Sequence, residues 1–142
     1  MISINPYLNF RGNTEEAFNF YKSVFGGEFM TVVRFKDTPE KDRVPVHEQD
    51  MIMHIALPVG NNILMATDAL ESMGHILSLG NNTAISVDTQ SEEEARKIFN
   101  GLSAGGKVSV PIEKMFWGAW FGMLTDQFGI QWMVNYDENK NK

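Results

Sequence analysis

The chain contains one helix pattern twice, and this duplication restricts its fold more than any other feature. The segment 13–27 begins with Asn13, a potential N-cap, has a glutamate three residues later, continues with apolar residues at helical spacing and ends in two glycines. The segment 91–106 begins with Ser91 and has the glutamate and the apolar residues at the same offsets, and it also ends in two glycines. Because the two potential caps lie about 78 residues apart, the chain is predicted to consist of two similar halves.

Strand patterns surround each helix pattern in the same order. Runs rich in β-branched and aromatic residues predict one strand before each helix and three after it. In the first half these strands are 2–10, 29–35, 51–58 and 63–68, and in the second half they are 82–88, 107–112, 116–124 and 130–135. The sequence therefore predicts an α+β fold of two tandem β-α-β-β-β modules. A duplicated ferredoxin-like β-α-β-β-α-β arrangement is the alternative, but it requires two more helices than the sequence shows.

The residues VGNN at 59–62 predict a tight hairpin in the first module. With a two-residue turn, His54 pairs with Thr67 and Ala56 pairs with Met65 on one mixed face, while the opposite face is continuously apolar. That apolar face is the one that a helix would cover.

A turn around the residues TDQFG joins the last two strands of the second module. A four-residue loop pairs Trp120 with Asn135 and Gly122 with Met133 on a mixed face, and it leaves an apolar face for the helix. Each module thus combines one face for a helix with one mixed face. The mixed faces of two such sheets can curve towards each other, which predicts a cup-shaped mixed sheet.

Composition excludes several classes of function. The 142 residues are 43% hydrophobic and 21% charged, as in ordinary globular proteins. The net charge is −6 and the basic residues are scattered, so no nucleic-acid partner is expected. No apolar run approaches the roughly 20 residues of a membrane span and the first ten residues lack a signal pattern, so no membrane partner is expected. The absence of cysteine fits a cytoplasmic protein.

Six segments carry a resemblance to a known family. They are NPYLNFRGNTEEAFNFYKSVFGGE at 5–28, IMH at 52–54, LMATD at 64–68, LSAGGKV at 102–108, FWGAWFG at 116–122 and TDQFGIQWM at 125–133. With these segments in a duplicated β-α-β-β-β frame, the chain resembles the vicinal-oxygen-chelate superfamily, which includes glyoxalase I, extradiol dioxygenases, and fosfomycin- and bleomycin-resistance proteins. Within this superfamily it is most similar to the PhnB-like branch.

The resemblance implies how the whole chain is organised. It implies a homodimer of a single domain, 1–142, composed of module 1 (1–68), a connector (69–81), module 2 (82–137) and a polar tail (138–142). PhnB-like proteins have no settled reaction, although some carry a label as ubiquinone-pathway methyltransferases. The sequence has no glycine-rich loop that opens a helix after a strand, as nucleotide-type cofactors need, so no cofactor is expected.

Metal-using members of the superfamily place a ligand on the first and last strand of each module. The resemblance puts these four positions at Pro6, Met65, Asn82 and Met133. Proline has no side-chain donor and a thioether binds hard cations weakly, so only Asn82 offers a hard oxygen. A shift of one residue in the first strand replaces Pro6 with Tyr7 and still leaves a poor site. Because divalent cations need about three or four imidazole or carboxylate ligands, we expect no metal at these positions.

His54 is the candidate catalytic residue. It is either a structural histidine bonded to backbone or to Thr67, or a proton carrier on the mixed face, since an ordinary pKa of about 6.5 suits acid–base work. His47, Glu48 and Asp50 lie close to it in the sequence. Together the four residues are candidate ligands of an alternative metal site, although their spacing matches no known set of ligands.

A set of mostly apolar and amide side chains is expected to line the cup and to contact a ligand. The set consists of Phe10, Met65, Thr67, Asn82, Ser86, Trp120, Gln131 and Met133. The glycines beside Trp120 leave room for a ligand at its ring, or the ring fills a closed core instead. Glutathione-using relatives have an arginine that binds an anionic substrate at the position of Phe10, so the resemblance argues against glyoxalase activity.

These observations predict a metal-free cup that binds a small, mostly apolar or aromatic molecule. A sequestering role of the resistance type needs no catalytic residue. One alternative is a metal-independent isomerase or lyase that uses His54 as general base. Another is an interaction module whose cup is filled by its own side chains.

Overall fold

The computed structural model describes residues 2–139. In chain order its elements are β1 (Tyr7–Phe10), α1 (Thr14–Phe25), β2 (Thr31–Arg34), β3 (Ile52–Val59), β4 (Asn62–Asp68), β5 (Ile85–Asp88), α2 (Glu92–Ser103), β6 (Lys107–Lys114), β7 (Ala119–Thr125) and β8 (Gln131–Asp137). This order confirms the predicted α+β fold with two β-α-β-β-β modules. The chain divides into two compact units, Met1–Ser78 and Leu79–Lys142. The cup that the two sheets were expected to enclose stays a prediction.

The first sheet has the strand order β1-β4-β3-β2, with β1 parallel to β4 and the other pairs antiparallel. The helix α1 packs on one face of this sheet, and its residues Ala17, Phe18 and Tyr21 are buried at helical spacing. The predicted hairpin is confirmed, because Val59 pairs with Asn62 across a two-residue turn. Local sequence therefore sets the register of the central strands β3 and β4.

The N-terminus of α1 is held by a residue that is distant in sequence. Asn13 occupies the N-cap position, but its side chain makes no capping hydrogen bond, so the predicted role of this side chain was wrong. Instead, the buried Asp68 at the end of β4 accepts hydrogen bonds from Gly12 N (2.9 Å), Thr14 N (3.1 Å) and Thr14 Oγ1 (2.6 Å) on one oxygen. Its other oxygen accepts a bond of 2.8 Å from Ile52 N. One carboxylate thus joins β4, the start of α1 and the start of β3.

The second sheet repeats this plan, with the strand order β5-β8-β7-β6, β5 parallel to β8 and the other pairs antiparallel. Here the predicted N-cap is confirmed, because the side chain of Ser91 accepts a hydrogen bond of 3.0 Å from the backbone N–H of Glu94. The apolar residues of α2 are buried, namely Ala95, Ile98, Phe99 and Leu102.

The register between β7 and β8 differs from the prediction by one residue. Thr125 pairs with Gln131, so the loop between the strands has five residues and not four. Consequently Trp120 pairs with Tyr136 and not with Asn135. Because side chains alternate along a strand, this shift moves the whole of β7 to the opposite face from the one predicted.

The cause of the longer loop is a second buried carboxylate. Asp126 accepts hydrogen bonds from the backbone N–H groups of Phe128 (2.9 Å) and Ile130 (3.0 Å) on one oxygen. Its other oxygen accepts a bond of 2.8 Å from the indole N–H of Trp132. These bonds fix the conformation of the loop and bury the indole of Trp132 on the side of α2.

Several boundaries also differ from the prediction. β1 begins at Tyr7, so Pro6 precedes the strand, and β5 begins at Ile85, so Asn82 lies exposed in the segment before it. The charged loop 36–50 contains short 3₁₀ turns. Residues 140–142 of the predicted polar tail lie outside the described residues.

Within residues 2–139 there is no helix with the length and apolar character needed to cross a bilayer. The cytoplasmic location inferred from the sequence stays a prediction.

Candidate functional site

The face of the first sheet opposite α1 is the candidate site. We name it the first helix-free face, and it is formed by Tyr7, Asn9, His54, Met65 and Thr67. Tyr7 pairs with Met65 and Asn9 pairs with Thr67, so these four side chains lie in two adjacent rows. His54 stands on β3, the next strand across the sheet. The sheet thus brings a phenol, an imidazole, an amide and a hydroxyl to one surface around a methionine.

Tyr7 and His54 contact each other directly on this face. The Tyr7 phenol oxygen lies 3.2 Å from His54 Nδ1, and the two rings stack with centroids 5.8 Å apart at 25°. Tyr7 remains 47% exposed and His54 is half-buried, so a ligand can reach the pair. Tyr7 was not among the predicted ligand-binding residues and was named only as the replacement for Pro6 after a shift of one residue.

Burial raises the pKa of the Tyr7 phenol above its ordinary value. The phenol is therefore neutral at neutral pH and can both donate and accept a hydrogen bond. An imidazole bonded to a phenol through Nδ1 is oriented for proton transfer, which is one of the functions that histidine serves in proteins.

A hydrogen bond to Thr67 was one of the structural roles considered for His54, and the Thr67 hydroxyl does not make this bond. Its hydroxyl lies 3.4 Å from the backbone oxygen of Ile52 and 3.5 Å from that of Asp68. These distances exceed those of ordinary O–H···O hydrogen bonds, so the Thr67 hydroxyl is weakly engaged. Met65, half-buried beside it, adds a flexible apolar surface.

The corresponding face of the second sheet is named the second helix-free face. It is formed by Ser86, Phe121, Met123, Gln131 and Met133. Ser86 pairs with Met133 and Met133 pairs with Met123, which places two thioethers side by side. The side-chain amide of Gln131 donates a hydrogen bond of 2.8 Å to the backbone oxygen of Thr83. Asp88 and Asn135 form the next row on the same face, and the Asn135 amide donates a hydrogen bond of 3.3 Å to the Asp88 carboxylate. This face thus combines apolar side chains around the methionines with polar ones.

Phe10 lies on the other side of the first sheet. It is buried, and its ring makes an edge-on contact with Phe18 of α1 at a centroid distance of 6.4 Å. The side chain next to it in sequence, Asn9, points to the first helix-free face because side chains alternate. Phe10 therefore packs in the core, and its predicted position on the ligand-binding face was wrong.

Trp120 also lies on a helix-covered side. The guanidinium of Arg96, a residue of α2, lies 4.6 Å from the centroid of its indole in a cation–π contact. Within residues 2–139 the buried indole N–H has no hydrogen-bond partner. The predicted exposure of Trp120 on the mixed face was wrong, because that prediction rested on the four-residue loop.

The residues of the alternative metal site have separate partners. Glu48 is buried and accepts hydrogen bonds from the hydroxyl and the backbone N–H of Ser72. Asp50 forms an ion pair of 2.8 Å with Lys36, and His47 is exposed. In the part of the chain that the structure describes, no three His, Cys, Asp or Glu side chains are grouped so that they could hold a metal.

The positions that carry metal ligands in the superfamily also do not fit a hard cation. Of the four positions implied by the resemblance, Pro6 and Asn82 lie before their strands, and the strand residues that pair with Met65 and Met133 are Tyr7 and Ser86. Two thioethers, a phenol whose pKa is raised and a hydroxyl are weak ligands for hard divalent ions. These donors do not replace the imidazoles and carboxylates that such a metal site requires.

The N-termini of both described helices are satisfied within the chain. The first N–H groups at α1 donate to Asp68, and the side chain of Ser91 caps α2. Phosphate groups of nucleotide-type cofactors bind free N–H groups of this kind. The donors nearest these helix starts are therefore already used by the protein's own oxygens.

A comparison with family models finds a match to the family described as 3-demethylubiquinone-9 3-methyltransferase, over residues 2–135. Among solved structures, the chain is similar to protein PA1353 from Pseudomonas aeruginosa, with 39% identity, a TM-score of 0.85, and coverage of 96% of this chain and 98% of that one.

Two further structures extend the likeness. A putative 3-demethylubiquinone-9 3-methyltransferase, PhnB protein, from Bacillus cereus is 24% identical with a TM-score of 0.76, over 95% of this chain and 99% of that one. A glyoxalase/bleomycin resistance protein/dioxygenase family enzyme from Burkholderia phytofirmans PsJN is 20% identical with a TM-score of 0.60, over 92% and 95% of the two chains. At these identities the two structures share the fold with this chain.

Proposed function

Because the chain belongs to the family described as 3-demethylubiquinone-9 3-methyltransferase, we propose that it binds a small, mostly apolar or aromatic molecule without a metal ion. This family is the PhnB-like branch of the glyoxalase/bleomycin-resistance superfamily. The family assignment predicted from the sequence is confirmed. The observation that carries the proposal is the Tyr7–His54 pair, which stands half-exposed beside Met65 on the first helix-free face.

The first helix-free face has the composition of a small-molecule site. Such sites combine apolar and aromatic surface with a few placed polar groups. Here the Tyr7 ring and the Met65 thioether supply apolar surface, while the phenol, His54 and the weakly engaged Thr67 hydroxyl supply polar anchors. The face therefore favours a flat molecule with one or two hydrogen-bonding groups.

The second helix-free face supports the same class of ligand. Met123 and Met133 adapt to irregular apolar shapes, and Phe121 offers a ring beside them. Ser86 and Gln131 are proposed as its polar contacts. Asn82 is not included, because it lies exposed before β5 and outside the sheet.

We do not propose the methyltransferase activity in the family's description for this chain. The sequence lacks the glycine-rich loop that opens a helix in nucleotide-type cofactor sites. At the start of α1, the N–H groups of Gly12 and Thr14 are directed to Asp68.

A second candidate function is a metal-independent isomerase or lyase that uses His54 as general base. The hydrogen bond between Tyr7 and His54 favours this candidate, since it orients the imidazole and general acid–base catalysis requires an oriented group. The alternative of an interaction module has no such observation in its favour.

The test of binding is a thermal-shift screen of small neutral aromatic molecules on protein treated with EDTA. At a ligand concentration about 100-fold above Kd, binding stabilises the folded state by about 2.7 kcal/mol, which raises Tm by several degrees. We expect hits that survive the chelator. In Tyr7→Phe their affinity should fall about 5–10-fold because one hydrogen bond is lost, whereas Tyr136→Phe, in the other unit, should bind as the wild type does. A screen without hits, or hits that require added metal, would contradict the proposal.

We also propose that the protein is a homodimer, and two exposed aromatic residues support this. Phe116 is 97% exposed and Trp117 is 53% exposed, and their rings contact each other at 4.9 Å. Exposed neighbouring aromatic side chains are typical of protein interfaces. The patch lies between β6 and β7.

Sedimentation velocity tests this arrangement. The wild type should sediment as twice the 16.1 kDa chain, and the double variant Phe116→Ser, Trp117→Ser should associate at least about 30-fold more weakly, as expected for loss of interface hot spots. Val46→Ser removes another exposed apolar side chain, 83% exposed, and should not change association. A monomeric wild type, or an unaltered double variant, would reject the proposed interface.

A further inference from the structure

The contact between Tyr7 and His54 determines which atom of the pair meets a ligand. Nδ1 of His54 lies 3.2 Å from the Tyr7 phenol oxygen, so this ring nitrogen is already engaged. The phenol belongs to the more exposed residue of the pair, since Tyr7 is 47% exposed and His54 is half-buried. A ligand on the first helix-free face can therefore meet Tyr7, the more exposed partner, while His54 Nδ1 stays in contact with the phenol.

We propose that Tyr7 and His54 form a proton relay that enolises a bound carbonyl compound, in which Tyr7 is the catalytic residue and His54 acts through it. This inference rests on ligand binding at the first helix-free face and adds to it a reaction and a class of substrate. The substrate class is a ketone or aldehyde that has an acidic C–H bond next to its carbonyl group and an apolar or aromatic substituent.

The proton balance of the step is complete within the pair and the ligand. The C–H bond of the ligand breaks, its electron pair stays on the ligand as an enolate, and the proton forms a new bond to the Tyr7 oxygen. At the same time the original phenol proton passes to His54 Nδ1, and the imidazole becomes an imidazolium. The protons then return in the reverse direction. Return to carbon completes a hydrogen exchange or an isomerisation, and return to the enolate oxygen gives the enol. Neither route needs an oxidant or a reductant.

The relay explains why both residues are needed. Burial raises the pKa of the phenol, so a free phenolate is not available as a base at neutral pH. When the phenol gives its proton to His54 as it takes one from the ligand, Tyr7 stays neutral throughout. Imidazole is a suitable final acceptor, because its ordinary pKa lies near neutral pH.

The neighbouring side chains suit the rest of such a ligand. Asn9 lies two residues from Tyr7 on the same face, about 7 Å away along the strand, and its amide N–H can donate to an enolate oxygen. The Thr67 hydroxyl, paired with Asn9 across the sheet, is a second donor. Met65, paired with Tyr7, offers the contact for an apolar substituent.

Deuterium exchange of phenylacetone tests the relay, with the intact protein in D₂O and ¹H NMR detection of the benzylic protons. Phenylacetone is neutral, aromatic and enolisable. The wild type should accelerate exchange over buffer. Tyr7→Phe and His54→Gln should each lower this acceleration by about 100-fold, as expected for loss of general acid–base catalysis. The double variant should lose no more than either single one, because the residues act as one unit.

Matched variants and a second readout separate catalysis from structure. Tyr136→Phe and His75→Gln change the same residue types elsewhere and should exchange at the wild-type rate. In His54→Gln the thermal shift by phenylacetone should persist while exchange is lost. In the wild type, ¹⁵N NMR should find the proton of neutral His54 on Nε2, since Nδ1 accepts from Tyr7, and Tyr7→Phe should change this preference.

The outcomes distinguish the two proposals. Phenylacetone that binds without accelerated exchange would overturn the relay and leave the binding function in place. If the two single losses of exchange rate multiply in the double variant, Tyr7 and His54 act independently, and this result would also overturn the relay. If phenylacetone does not bind, the assignment of this substrate class is wrong, while binding of other molecules is decided by the chelator-treated screen.

Discussion

Replacement of Asp68 by alanine is expected to lower the free energy of unfolding by roughly 3–5 kcal/mol. The buried carboxylate accepts hydrogen bonds from Gly12 N, from both donors of Thr14 and from Ile52 N, at 2.6–3.1 Å. Alanine leaves these donors buried without an acceptor, and each unsatisfied group costs about 1–3 kcal/mol. Urea unfolding monitored by circular dichroism measures the change.

Asp50→Ala is the matched control for this prediction. Its side chain is 81% exposed in an ion pair with Lys36, so the variant should unfold close to the wild type. Equal effects of the two variants would mean that Asp68 does not join β4, α1 and β3 as described.

Gly106→Ala is expected to destabilise the protein by about 3 kcal/mol, through a different mechanism. A Cβ atom at this position would lie 2.3 Å from the backbone oxygen of Thr125 and 2.9 Å from Asp126 Cα. Backbone atoms cannot move aside as a flexible side chain can, so the end of β7 or the start of β6 must shift. Thermal unfolding by calorimetry measures the loss.

Gly80→Ala provides the comparison within the same unit. Its Cβ would meet only the side-chain oxygen of Asn82 at 3.6 Å, which is ordinary contact, so the variant should unfold close to the wild type. If Gly106→Ala were as stable as Gly80→Ala, the close approach of Gly106 to β7 would be wrong.

Much of the fold could be predicted because its signals are local. The helices follow from apolar residues at helical spacing, and Ser91 caps α2 through a residue three positions away. The turn between Val59 and Asn62 sets the register of β3 and β4 from the sequence of four residues. In these places the chain needs no distant partner to determine its structure.

The errors arose where buried carboxylates act over a distance or shape a loop. The sequence offers Asn13 as a cap, but Asp68, which is 55 residues away, takes the donors at the start of α1. Asp126 adds one residue to the loop after β7, and this reversed the predicted faces of Trp120 and its neighbours. Periodicity does not reveal which polar residue will be buried with its donors.

Only the part of the candidate site that depends on local sequence was predicted. His54, Met65 and Thr67 share the predicted face, because the hairpin determines it. The partner of His54 comes from β1, whose pairing with β4 is parallel and long-range, so Tyr7 could not be identified from local pattern alone. Phe10 was misplaced by one residue relative to the alternation of that strand.

The most direct test of the account is NMR of methyl-labelled methionine during titration with an aromatic hit from the chelator-treated screen. The chain has nine methionines, which report on different surfaces. Binding at the first helix-free face should shift the Met65 methyl signal, beside Tyr7, and leave Met73, which is 62% exposed in the connector, unchanged. A ligand that binds while the Met65 signal stays fixed would contradict the proposed site.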